Sequence, residues 1–455
     1  MRKLNLSRVS PSRRRGSAGT NKLRISEREA LFLLVILPPV LLVVDSVTGA
    51  LALSGMSSPL SLFAKSLVLI WLLIICVRMD PAGAFKPFSL IAFVFFLNLY
   101  HQFDASGSKH WISGLAWALR FCLIVLTAVV CKEVVEHGRH RLAWVGIGGL
   151  ISLLVIVINL VFGLAGFGYA QYGGAYGTSG FFVAGNELAV ALICASALAL
   201  GYAYSAGRPF RFWIIFLLFA ASALVSLTKA AILSVFILLL ALPCLAMFHV
   251  IKRDHRLTDS RSLAFGFGSL AGVFALPLAA AAYINVSGFI DRLRFFFDLD
   301  GLVGLVFSGR QRFVEHALGT FFEQSSVLDI LFGKGVGWVL DVIGHQIEVD
   351  PVDFLVAFGV VGVLGAYALV IYFLLGPFKV RNSYSYRSTA SDFAWLCGAL
   401  ILGISFFAGH VLNSGLACVL FGLVLGVARA QIPRATLKER AVALPIQPGG
   451  KRSEC

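Results

Sequence analysis

Residues 111–131 read WISGLAWALRFCLIVLTAVVC, an apolar run broken by a single charge, Arg120. An α-helix needs about 20 such residues to cross the hydrocarbon core of a bilayer. The run is apolar all round, whereas a helix on a soluble core keeps one polar face. The same pattern recurs along the chain. Spans are expected at Ala30–Val47, Leu60–Val77, Phe88–Phe103, Trp111–Cys131, Leu142–Phe167 and Phe181–Tyr204. Further spans are expected at Phe212–Leu227, Ala230–Val250, Leu263–Ile284, Val352–Leu375, Phe393–Gly409 and Val411–Ala428. Tight hairpins around Thr228 and His410 would join two of the pairs. Ser26 and Glu29 have the spacing of a capping box ahead of the first helix. The fold class is therefore an all-α polytopic membrane protein of about twelve helices.

Composition agrees. The chain is 58% hydrophobic and 13% charged, with a mean hydropathy of +0.87. Soluble domains carry about 25% charged residues. The net charge of +15 lies in short loops and the two tails, so it reads as orientation by the positive-inside rule. No recognition module accompanies it, which argues against nucleic acid. The basic tail holding Arg13, Arg14, Arg15, Lys22, Arg24 and Arg28 suits anionic lipid. With both termini cytoplasmic, alternate loops carry the basic residues, such as Arg78 with Lys86, Lys132 with Arg139 and Arg141, and Arg208 with Arg211. The opposite loops hold few, Lys65, Lys109 and Lys229. The expected organisation is a cytoplasmic tail (1–29), helices one to nine (30–284), a large periplasmic loop (285–351), helices ten to twelve (352–428) and a second cytoplasmic tail (429–455). The eight cysteines form no CxxC pair and share no short spacing with histidine, so no metal or redox cofactor is signalled. No cleavable signal stands out ahead of the first run.

Two outer segments are unusual. Gly168–Gly180 (GYAQYGGAYGTSG) is uncharged and rich in glycine and tyrosine. Asn285–Pro351 is long and partly amphipathic (FIDRLRFFFDLDGLVGLVF, 289–307), which predicts short helices at the outer membrane surface.

Candidate site residues fall on that side. Arg120, deep in its span, costs about 2.5–3.5 kcal/mol to insert, so it faces either an anion or a structural partner. Lys229 (in SLTKAAILS, 226–234) stands at a helix N-terminus, where an anion is favoured; the alternative is a lysine snorkelling to the interface. Arg310 and Arg312, in Ser308-Gly309-Arg310-Gln311-Arg312, have the planar fork that suits phosphate, or belong to the basic face of an interfacial helix. In QIEVDPVD (346–353), Asp350 fits an N-cap and Asp353 a first helical turn, whereas Glu348 and His345 remain for general-base chemistry. A divalent cation is the other use for these carboxylates, but the spacing matches no standard metal loop. The hairpin GHVLNSG (409–415) either lines a cavity or satisfies its own turn.

In order along the chain, several motifs resemble the bacterial O-antigen ligase and polymerase superfamily. They are Gly180-Phe181-Phe182 with Gly185-Asn186-Glu187-Leu188-Ala189, Ser226-Leu227-Thr228-Lys229-Ala230-Ala231, Ser308-Gly309-Arg310, Leu331-Phe332-Gly333-Lys334-Gly335-Val336-Gly337, and Glu348 to Asp353 followed by Phe358-Gly359-Val360-Val361-Gly362. The resemblance implies a C-type glycosyltransferase fold. It also implies an inverting, metal-independent enzyme of the bacterial inner membrane that polymerises undecaprenyl-diphosphate-linked oligosaccharides for exopolysaccharide, capsule or O-antigen. Arg310, Arg312, Lys229 and Arg120 would then bind diphosphate, and Glu348 or Asp350 would act as base, with Asn186, His345 and Asp353 as further candidates. A chain-length regulator is the implied protein partner. Lysine stands at 229 where the family carries arginine, and carboxylates stand at 348–353 where many members carry histidine. The latter favours a polymerase over a ligase moving glycan to a lipid or protein. A lipid-linked sugar flippase is the reading from another class, but the paired repeats and broken helices of transporters are not evident.

Overall fold

A computed structural model describes residues 25–79, 81–104, 110–138, 140–171, 177–252, 268, 272, 289–376, 385–386, 389–407 and 409–433. The expected helix Leu263–Ile284, apart from residues 268 and 272, and the tails at 1–24 and 434–455 fall outside these residues. Among them, seven helices are long and apolar enough to cross a membrane: Glu27–Leu53 (α1), Leu60–Met79 (α2), Trp111–Glu136 (α4), His140–Leu164 (α5), Gly185–Ser205 (α6), Pro209–Ser226 (α7) and Asp350–Leu374 (α13). Pro81–Asp104 (α3), Lys229–Lys252 (α8), Thr389–Ser405 (α14) and Cys418–Arg429 (α15) contain shorter apolar stretches. Four short helices precede α13: Phe289–Phe307 (α9), Arg310–Gln324 (α10), Val327–Phe332 (α11) and Gly335–Trp338 (α12).

The molecule is built around α4, whose side is lined by α15. Gly422 and Gly426 lie four residues apart on α15 and meet the backbone and small side chains of α4 at Ile124, Thr127, Ala128 and Cys131. Lipid supplies no hydrophobic drive between helices, so a small-residue seam lets dispersion contacts hold them. One hydrophobic core runs through α1 to α8 and α12 to α15, and a smaller one packs α10 and residues 339–347 against α13.

Ion pairs tie the helix ends at one face. Glu27 meets Arg141 at 2.6 Å, and Glu29 meets Arg78 at 2.5 Å. Ser26 and Glu29 form the expected capping box. At the opposite face Asp45 meets Lys65, and Asn159 accepts from the Phe181 amide at 2.6 Å. Successive helices therefore run antiparallel, and the candidate residues gather at the second face.

Three expectations change. Helix α6 starts at Gly185, not Phe181: the glycine-rich segment first makes an antiparallel pair, Tyr169–Ala170 with Thr178–Gly180, anchored by Asn159. Helix α15 starts at Cys418, not Val411, because residues 409–417 form an irregular buried loop instead of half a hairpin. Asp350 does not cap its own helix, since the cap residue is Val349.

Candidate functional site at one membrane face

Among the described residues, four non-glycine residues have positive φ: Leu227 (49°), Ser308 (56°), Glu348 (61°) and His410 (68°). Each such residue costs on the order of 1–3 kcal/mol, and such strain concentrates at functional sites. These four lie in separate loops, and the fold brings the loops together.

Lys229 heads α8. Its ammonium donates to the Leu305 carbonyl and to Ser308 Oγ, both at 2.8 Å, and lies 4.8 Å from the centre of the Phe296 ring. Leu305 is in the last turn of α9, where carbonyls lack helical donors. Lys229 thus anchors the turn leading into α10 and Arg310. Two acceptors on the neighbouring helix end thus give Lys229 a structural role beside the expected diphosphate contact.

Arg310 donates Nε (2.9 Å) and Nη2 (2.7 Å) to the single oxygen Oε2 of Glu348. The Arg310 side chain is 16% exposed and that of Glu348 40%. Neither Glu348 Oε1 nor Arg310 Nη1 is used in this contact, and the Glu348 side chain is open to solvent. The Glu348 backbone lies against Gly409, where any Cβ would strike it.

The 409–417 loop runs inward from that point. Asp350, fully buried, accepts from the amides of His410 (2.7 Å), Val411 (3.0 Å) and Leu412 (2.8 Å). Asp353, also fully buried, accepts from the Ile347 amide at 3.0 Å. Both oxygens of Asp350 are thereby engaged with backbone, which makes it a scaffold for the loop. At the far end of the loop, Glu187 accepts from the Leu416 amide (3.0 Å) and Ser414 Oγ (3.2 Å), and Arg120 Nη1 donates to the Asn413 carbonyl (3.2 Å). Gly415 leaves room for the guanidinium: a Cβ there would lie 3.0 Å from Arg120 Nε.

Arg120 and Glu187 belong to a cleft of about 510 Å3 that also takes in Asp45, Ser61 and Lys65. Lys65 is 3% exposed and donates to Asp45 at 2.5 Å and Ser61 at 2.6 Å. Every wall comes from helix ends or loops of the same face.

The site thus has two centres joined by one loop: Arg310–Glu348 outside and Arg120–Glu187 in the cleft. Of the expected residues, Arg310, Glu348, Asp350, Asp353, Lys229 and Arg120 fall within this system. Three do not take part. Arg312 is exposed and pairs with Asp300 at 3.1 Å. His345 is exposed and packs on Phe313, ring centres 4.4 Å apart. Asn186 does not line the cleft; its neighbour Glu187 does. The sequence reading passed over Asp45 and Lys65. Lys65 counted only as a loop charge, yet an acid and a base at similar depths of consecutive helices signal a membrane-embedded pair. Among the described residues, no three metal-ligating side chains cluster.

Comparison of the chain with protein-family profiles and with curated proteins yields no match in either.

Proposed function

We propose that the protein transfers an oligosaccharide from a polyprenyl-diphosphate carrier at the periplasmic face of the inner membrane, polymerising repeat units. The observation that carries this reading is the Arg310–Glu348 pair, in which a guanidinium edge and a carboxylate oxygen stand together at an accessible, strained position. Glu348 Oε1 takes the proton of an acceptor hydroxyl. The hydroxyl oxygen bonds to the anomeric carbon as the bond to the diphosphate oxygen breaks. The departing electron pair stays on the phosphate, where Arg310 stabilises the charge. Groups positioned where charge develops make a large contribution to such reactions. Lys229 and Asp350 act one step removed, by holding the turns that present Arg310 and Glu348.

The test is polymer formation in cells whose own gene is deleted. Complementation with Arg310→Ala or Glu348→Gln is expected to leave single lipid-linked repeat units on the outer leaflet, with normal amounts of protein in the membrane. Normal polymer from both variants would rule the reading out. Long chains left on the carrier in the deletion strain would indicate a ligase, and units left on the cytoplasmic leaflet a flippase.

A further inference from the structure

The cleft has a charge pattern that the diphosphate does not explain. Its lining contains two cations, Lys65 and Arg120, and two carboxylates, Asp45 and Glu187. Lys65 is paired directly with Asp45, and Arg120 acts electrostatically on Glu187. The four formal charges cancel. A polyanion here would meet as many carboxylates as cations, which offsets the attraction. A neutral ligand rich in hydroxyls would instead find donors and acceptors in alternation, each made stronger by a charged partner. Asp45 Oδ2 is buried, and no partner satisfies it among the described residues. A buried carboxylate oxygen without a donor is costly unless a ligand supplies one. Ser61 adds a hydroxyl and Trp117 an aromatic wall. The volume falls in the range of roughly 300–1,000 Å3 typical of small-molecule sites. Arg120 lies nine residues into α4, about 13 Å along the helix axis at 1.5 Å per residue, so the cleft is deep enough for more than a surface contact.

We infer that this cleft is a glycan-binding subsite that holds sugar hydroxyls between the Asp45–Lys65 pair and the Glu187 and Arg120 side chains. The 409–417 loop runs from the cleft to the Arg310–Glu348 centre, and Gln346, two residues before Glu348, lines the cleft. That the sugar is the acceptor rests on the transferase reading; that the cleft binds a glycan does not.

The full chain in lipid nanodiscs, carrying Cys244→Ser and Cys455→Ser, provides the test. The other six cysteines are buried, so an added Ser58→Cys at the cleft wall becomes the reactive thiol. Its rate of modification by a bulky charged maleimide is measured alone, with inorganic pyrophosphate, and with oligosaccharide released by mild acid from the lipid-linked pool of the producing cells. The oligosaccharide is expected to slow labelling several-fold and pyrophosphate to leave it unchanged. Ser61→Ala, which leaves the ion pair intact, is expected to weaken the protection, and Asp45→Asn to remove it. Protection by pyrophosphate alone would make the cleft an anion site and overturn the inference, and protection by neither would also overturn it. Glycan protection together with normal polymer from both Arg310→Ala and Glu348→Gln would defeat the transferase reading and leave the subsite standing. Inactive Arg310→Ala without glycan protection would do the reverse.

Discussion

At the scale of single residues, the carboxylates of 348–353 divide the work by burial and partner. Glu348 is accessible with one oxygen not used by its arginine, whereas Asp350 has both oxygens on buried amides. Their variants should therefore fail differently. Asp350→Ala strands three buried N–H groups at roughly 1–3 kcal/mol each. It is expected to lower the thermal unfolding midpoint in detergent by many degrees, with activity lost as a consequence. Glu348→Gln is expected to lose activity at a nearly unchanged midpoint. Equal midpoints for the two would refute this division. The Asp45–Lys65 pair makes a similar prediction. Removing one member of a buried pair costs about 3–5 kcal/mol, whereas replacing both is close to neutral. Lys65→Met alone is expected to destabilise the protein markedly, and Lys65→Met with Asp45→Asn to recover most of the loss. A double variant as unstable as the single would show that the loss does not come from a stranded buried carboxylate.

At the scale of elements, α13 is kinked at Gly359, with φ of 68° and ψ of −171°. The kink frees backbone groups of the helix, and the Lys334 amide takes the Val356 carbonyl at 2.8 Å. Gly359 also lies against the backbone of Leu331 and Phe332, and Gly333 against that of Ala357 and Phe358, so both helices dock through glycine. This contact fixes the run from α11 to the head of α13 and hence the 346–353 segment. Gly359→Ala meets a backbone conformation open essentially to glycine alone and a direct clash. It is expected to destabilise by about 1–3 kcal/mol and to open the Lys334 peptide bond to trypsin. Unchanged proteolysis would mean that α11 docks without the kink. The glycine motifs were legible in the sequence as motifs. Their partnership was not, because two glycines 26 residues apart carry no periodicity that joins them.

At the scale of the molecule, antiparallel helices gather the candidate groups at one face and ion pairs such as Glu27–Arg141 at the other. The proposed site requires the first face to be the periplasmic one, as the loop charge leads one to expect. Ser58→Cys lies in the loop between α1 and α2 and Ser205→Cys at the C-terminal end of α6, at opposite faces. An impermeant maleimide applied to intact spheroplasts is expected to label the first and to spare the second until the membrane is opened. The reverse labelling would invert the topology and remove a periplasmic site.

The membrane class and the helical fold followed from sequence, since each depends on local quantities: run length, charge and side-chain chemistry. Arg310 and Glu348 could be named in that way. Their contact, the direction of the Lys229 ammonium, the use of Asp350 as the scaffold of the 409–417 loop and the Asp45–Lys65 pair in the cleft belong to the tertiary structure. Each depends on which distant backbone groups lack a partner once the helices pack. A carboxylate or ammonium in a low-dielectric interior goes to those groups, and only the assembled fold determines where they are.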